Sequence, residues 1–209
     1  MILQVGKLGK SYYDWIDEPV NRPLRLFRND FIERLTRTNY VTVLVYWIPI
    51  VSYMVWVNFS NLVEGQRFKL TLSSFLLGMA LWPLIEYVVH RWLFHSKPPS
   101  NWPSLLTLHF LIHGIHHKAP FDNGRLLFPP VPCSILFFVL YGFYTLIFPG
   151  WMLLATMAGT IAGYLCYDMT HYYLHYGSPK EGTYFYNMKR SHNNHHFANQ
   201  TAGKKASRK

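Results

Sequence analysis

Four apolar stretches, each close to the ~20 residues a helix needs to cross a bilayer, constrain the chain more than anything else: 40–59, 70–89, 131–148 and 151–170. Buried helices of a soluble protein are the other possibility. Such helices keep an ionic outer face, whereas these four contain no Lys or Arg and only two acidic residues, Glu86 and Asp168. The third and fourth are separated by Pro149-Gly150 alone, which reads as a tight turn between antiparallel helices. The expected fold class is all-α and integral to a membrane, with four transmembrane helices.

Four spans put residues 1–39, 91–130 and 171–209 on one side. Lys and Arg count 7, 4 and 7 there, against 2 in 60–69 and none at Pro149-Gly150. An 18-to-2 split marks the cytosolic face, so both termini and the central loop are expected in the cytosol. The net charge of +10 then belongs to a membrane-facing and partner-facing surface, with no nucleic acid implied. Cys133 and Cys166 lie inside apolar stretches without metal-type spacing, and no secretory signal precedes the first span. The expected organisation is a basic N-terminal segment over 1–39, a membrane domain over 40–197 and a disordered basic tail over 198–209.

All eleven histidines fall on the expected cytosolic side, in four groups. His90 and His95 leave the second span, and His109, His113, His116 and His117 occupy the central loop. His171 and His175 leave the fourth span, and His192, His195 and His196 follow it. Spacings of three and four bring imidazoles onto one helix face. His90 and His95, five apart, cannot share a face of a straight α-helix, so the helix is expected to end or bend there, or the pair to reach different metals. A single histidine at a membrane edge would carry little meaning. Four converging groups describe a histidine-rich helical cap that holds metal.

Cysteine is absent from the groups, which argues against structural zinc and iron–sulfur centres. Imidazole alone leaves zinc, copper, iron and nickel open. Ten or eleven imidazoles exceed one ion, whereas two ions at five each use ten and identify a dimetal site. His109 belongs to no triplet and is expected to support the ligands rather than bind. Glu86, four before His90, and Asp168, three before His171, can each orient a ligand ring on its own helix. Tyr164, Asp168, His171 and His175 continue one stripe of the fourth span.

The segments Glu86–His95, His109–Pro120, Arg125–Pro130, Tyr167–His175 and His192–Phe197, with Tyr13-Asp14-Trp15 and Arg22–Phe27, resemble the fatty acid 2-hydroxylases of the membrane fatty acid hydroxylase and sterol desaturase superfamily. The likeness runs from the start of the chain through Asn199. It implies hydroxylation of carbon 2 of a long acyl chain, free or in ceramide, for hydroxylated sphingolipid synthesis in the endoplasmic reticulum. It implies ten metal ligands, His90, His95, His113, His116, His117, His171, His175, His192, His195 and His196, with Tyr164, Tyr167 and Asp168 lining the substrate. The implied cofactors are two iron ions, which zinc can replace in purified protein, and O2. Electrons would come from NAD(P)H through cytochrome b5.

Family members commonly carry a fused cytochrome b5 domain before this region and a Gly-Phe-Gly-Ile-Ser segment after the last histidines. Neither matches here, so a separate cytochrome b5 and its reductase are the expected partners, and His192–His196 are expected to depend on metal for order. Rival readings are a sterol oxidase or desaturase on the same scaffold, an inactive relative, and a metal transporter. The last would place its ligands at midplane depth rather than at one face.

Overall fold

The computed structural model describes residues 1–197; the expected basic tail lies outside the described residues. Every regular element among them is helical. In chain order these are α1 (Ile2–Val5), a 3-10 turn (Gly6–Ser11), α2 (Tyr12–Ile16), α3 (Asp30–Leu35), α4 (Tyr40–Ser60) and α5 (Arg67–Val88), which runs into a π-helix (Val89–Phe94). They continue with α6 (Pro103–His109), a second π-helix (Phe110–Gly114), α7 (Ile115–Lys118), α8 (Pro130–Ile147), α9 (Gly150–Tyr176) and α10 (Tyr184–Phe197).

Local chemistry sets the boundaries. Asn29 caps α3 by accepting from the Phe31 and Ile32 amides, and Asn39 caps α4 by accepting from Thr42. Pro103 and Pro130 open α6 and α8, where a missing amide hydrogen costs nothing. The chain divides into two compact units.

One unit comprises Thr38–Leu93 and Leu127–Met169 and contains α4, α5, α8 and most of α9. Three of the four expected spans, in α4, α5 with its π-helical extension, and α8, are helices long and apolar enough to cross a membrane. At most 22% of the apolar window of any of them is buried, so the unit turns its large side chains outward. Phe138, Leu146, Ile147, Val45 and Leu84 are exposed. The fourth expected span lies in α9, which is instead the packed helix, with Ala155, Thr156, Ala158 and Thr160 fully buried. Small residues permit this packing: a Cβ on Gly78 of α5 would strike the Thr156 carbonyl, and one on Gly159 would strike the Phe75 carbonyl. Some interior polar groups are paired, as in Asn58 to Thr71 at 3.2 Å and Tyr144 to Thr160 at 3.0 Å.

The other unit comprises Met1–Arg37, Phe94–Leu126 and the described residues from Thr170 onward. Its apolar core joins Ile2, Val5, Tyr12, Ile16, Leu24 and Leu26 to Leu106, Phe110, Ile115 and Ala119. The basic N-terminal segment is therefore part of this unit's core. A buried ionic cluster adds to it: Arg125 pairs with Glu33 and lies 3.6 Å from Asp122, which Arg37 reaches at 2.9 Å. Burial alone would raise the Glu33 carboxyl, but the Phe27 and Leu26 amides and the Arg125 guanidinium outweigh it and hold Glu33 below the usual range.

Candidate metal centre

In the second unit, α7, the end of α9 and α10 bring five imidazoles together: His116, His171, His175, His192 and His196, with one ring nitrogen of each within 4.8 Å of all the others. His192 Nε2 is the hub. It lies 2.7 Å from His175 Nε2, 3.0 Å from His196 Nε2 and 3.1 Å from His171 Nε2. One ring nitrogen holds at most one proton or one in-plane lone pair. No placement of protons can satisfy all three approaches by hydrogen bonding. His116 is buried and neither of its ring nitrogens has a hydrogen-bond partner. A cation at the centre of the five resolves both problems.

Electrostatics prepare the same group for a metal. Burial, then the neighbouring imidazoles, push His116 well below its ordinary value, and burial with Lys189 lowers His175 to about 4. Burial lowers His195 too. These rings are neutral at pH 7, the form that ligates. The Pro120 carbonyl accepts from His175 and fixes that ring.

A second set lies alongside. Single nitrogens of His95, His113 and His195 are within 4.8 Å of one another. His117 Nε2 is 2.8 Å from His113 Nε2, and its ring centre is 5.0 Å from that of His195 and 4.7 Å from that of His196, so His117 stands between the two sets. The Phe94 ring stacks on His113 at 4.8 Å. His90 lies in the first π-helix, with Nδ1 3.5 Å from the Glu86 carboxylate. Hydrogen bonds from i to i+5 stack residues five apart, so the π-helix answers the H-x4-H spacing that a straight α-helix could not accommodate.

His109 joins neither set. Its Nδ1 is 2.6 Å from the Tyr12 hydroxyl, and it hydrogen-bonds the Phe94 backbone, beside His95. Gly114 lets the N-terminal segment close in, since a Cβ there would meet Ile16 and the Tyr12 hydroxyl. Lys118 ends the histidine loop by donating to the Trp15 and Glu18 carbonyls. Two further contacts escaped the sequence reading. Lys189 donates to the His175 and Gly177 carbonyls at 3.1 and 2.8 Å, and Phe185 packs edge-on against Tyr173 at 5.6 Å. Their only sequence signal is position, on the α10 turns preceding His192.

In the helical-span unit, Tyr164 and Asp168 are buried on α9 next to Cys133 of α8. The Tyr164 hydroxyl is within hydrogen-bonding reach of Asp168 and Cys133, and the indole nitrogens of Trp47 and Trp82 are buried without hydrogen-bond partners. The rings of Trp82, Phe137 and Trp47 surround Tyr164 at 5.4, 5.5 and 6.4 Å. Tyr167 touches this group through Trp82, with ring centres 6.4 Å apart, and donates to Glu86.

The sequence model of the fatty acid hydroxylase family matches residues 75–206. A fatty acid 2-hydroxylase of Rattus norvegicus is 45% identical over 97% of this chain and 59% of its own length. A dihydroceramide fatty acyl 2-hydroxylase of Arabidopsis thaliana is 40% identical over 97% of this chain and 84% of its own. A solved structure titled full-length scs7p, with only the hydroxylase domain visible, superposes with a TM-score of 0.79 at 34% identity, covering 93% of this chain and 74% of that one. The chain thus spans 59% of the rat relative's length. On the extent of these matches, and with the histidine sets in place, the chain belongs to the fatty acid hydroxylase family.

Proposed function

We propose that this chain is a diiron monooxygenase domain that hydroxylates carbon 2 of long-chain fatty acyl groups, free or in ceramide, in the endoplasmic reticulum membrane. The observation that carries the reading is the pair of adjoining all-imidazole sets, with His192 Nε2 facing three other nitrogens. Five imidazoles and no thiolate in one set favour a metal with more than four ligands over structural zinc.

His116, His171, His175, His192 and His196 would hold one iron, and His90, His95, His113, His117 and His195 the other. When bound, the iron pair supplies the reduction of O2 and the cleavage of the C–H bond. One oxygen atom becomes the new hydroxyl and the other leaves as water, with two electrons and two protons supplied from NAD(P)H through cytochrome b5 and its reductase. Everything else falls to the protein. Glu86 fixes the His90 ring, and His109 fixes the backbone at Phe94. The buried aromatic group around Tyr164 takes the lipid, with the Tyr164–Asp168 pair meeting its polar end and Tyr167 bordering it. Regioselectivity on a flexible chain is a matter of positioning.

The relatives named for fatty acid and dihydroceramide 2-hydroxylation support this substrate class. Four spans, with both termini and the histidine cap cytosolic, complete the reading. Mass spectrometry of lipids from cells that lack their own 2-hydroxylase and express this chain should show 2-hydroxy acyl groups; only desaturated or sterol products would overturn it. A glycosylation acceptor placed within 61–66 should be modified, while one after Lys209 should not.

A further inference from the structure

Helix α3 is built with its apolar face outward. At about 100° per residue, Phe31, Leu35 and Ile32 fall within one arc of about 100°, the width of an apolar stripe. Their exposures are 70%, 57% and 42%. Glu33, on the opposite side, is buried: it accepts from the Leu26 and Phe27 amides at 3.0 and 2.9 Å and pairs with Arg125. With Asn29 capping its first turn, α3 is fixed at both its start and its inner face. A rigid helix that shows Phe, Ile and Leu to its surroundings is not a loop that happens to be apolar.

Two observations identify what covers that face. Only Thr36–Asn39 separate α3 from Tyr40, the first residue of α4, so Leu35 lies at most about 18 Å from it along an extended chain. The apolar stripe is also bordered by cations. Residues 22–37 carry five arginines against Asp30 and Glu33; Arg25 pairs with Asp30, while Arg22, Arg28 and Arg34 are exposed. Tyr40 and Val41, the first two residues of α4, are exposed as well. Apolar side chains between arginines, a few residues from a span, match the headgroup layer.

We propose that α3 is an interfacial anchor, lying in the headgroup layer of the leaflet that α4 enters, with Phe31, Ile32 and Leu35 at the acyl boundary and the arginines on lipid phosphates. It rests on α4 crossing the bilayer, and it adds a fixed attachment of the histidine-bearing unit to the membrane surface.

The test uses the full chain with Cys166→Ser, leaving only the buried Cys133, and an environment-sensitive fluorophore on one introduced cysteine at a time: Phe31→Cys, Tyr53→Cys on the exposed face of α4, and Glu181→Cys as an exposed control. The proteins are reconstituted in phosphatidylcholine–phosphatidylserine vesicles with nitroxides at shallow or deep acyl positions. Shallow nitroxides should quench the label at 31 at least about twofold more than the label at 181, and deep ones should quench the label at 53 most. If 53 is quenched and 31 behaves like 181, α4 spans and the anchor is overturned. If 53 escapes deep quenching, the span itself fails and the anchor falls with it.

Discussion

The two units solve opposite problems with one chain. The unit containing α4, α5, α8 and most of α9 puts Phe, Leu, Ile and Val outside and glycine, alanine and threonine within; the histidine unit buries a small apolar core beside a crowd of imidazoles and an ionic cluster. In the first, hydrogen-bonded helices and close backbone contact suffice, because lipid replaces the core that water would demand. In the second, imidazole rings are packed with nitrogens facing one another, an arrangement that a cation would satisfy. The first should tolerate metal removal and fail when its small residues grow. The second should do the reverse.

The largest effect expected is at His116. Replacing it with alanine should abolish hydroxylation and reduce metal below two ions per chain, while His109→Ala, which loses the Tyr12 contact and the bond to the Phe94 backbone but no ligand, should keep metal and lose about 10–100-fold in activity or affinity. Elemental analysis of the two purified variants decides; two full metals in His116→Ala would remove it from the ligand set.

Chelation should separate the units next. Only His196 of α10 is buried, and the helix is otherwise tied by Phe185 on Tyr173, Phe197 on Phe121 and Lys189. Ordering a residue costs about 1–2 kcal/mol, so metal bonds must supply much of what holds these fourteen residues. Trypsin should cut at Lys189 and Arg190 at least about tenfold faster after metal removal, with the α4, α5 and α8 helices intact. Equal resistance with and without metal would show that the aromatic contacts suffice.

Gly78→Leu probes the opposite unit. Its side chain would drive α5 from the Thr156 carbonyl of α9, a cost of about 1–3 kcal/mol or more for an overpacked contact, whereas Gly142→Leu on α8 meets open space. Thermal melts in detergent should fall for the first and not for the second. Equal melts would mean that the two helices are not held by close approach.

These contrasts explain what could be read from sequence. The starts of α4 and α8 emerge within a residue because apolar runs begin at a cap and a proline, at Asn39 and Pro130, whereas α5 runs on past the expected 89 to Phe94. The histidine groups emerge because ligand spacing is local. The H-x4-H spacing flagged a departure from straight helix, but nothing local distinguishes a bend from the π-helix that forms. Long-range pairings were out of reach: Tyr12 meets His109 across 97 residues, and Arg125 meets Glu33 across 92. The packed role of α9 had a signal in Gly159, Gly163, Ala155 and Thr160, whose small side chains read equally as a weak span.

The smallest effect should come from Lys189, which ties α10 to the end of α9 through the carbonyls of His175 and Gly177. Lys189→Met should still load metal fully, because no ligand is lost, but release it to a chelator about tenfold faster, equivalent to about 1.4 kcal/mol. Lys189→Arg should recover part of the difference. The charge has a second consequence. Burial and Lys189 together hold His175 at about 4; without the ammonium that value rises, protons compete for the ring at higher pH, and acid-induced metal loss should begin at higher pH in Lys189→Met than in the parent chain. A residue that only stabilised the helix would lower the melting temperature of the metal-free and metal-loaded forms alike and leave the pH of release unmoved. Unchanged release kinetics and an unchanged release pH would together show that α10 is positioned by its histidines and aromatic contacts alone.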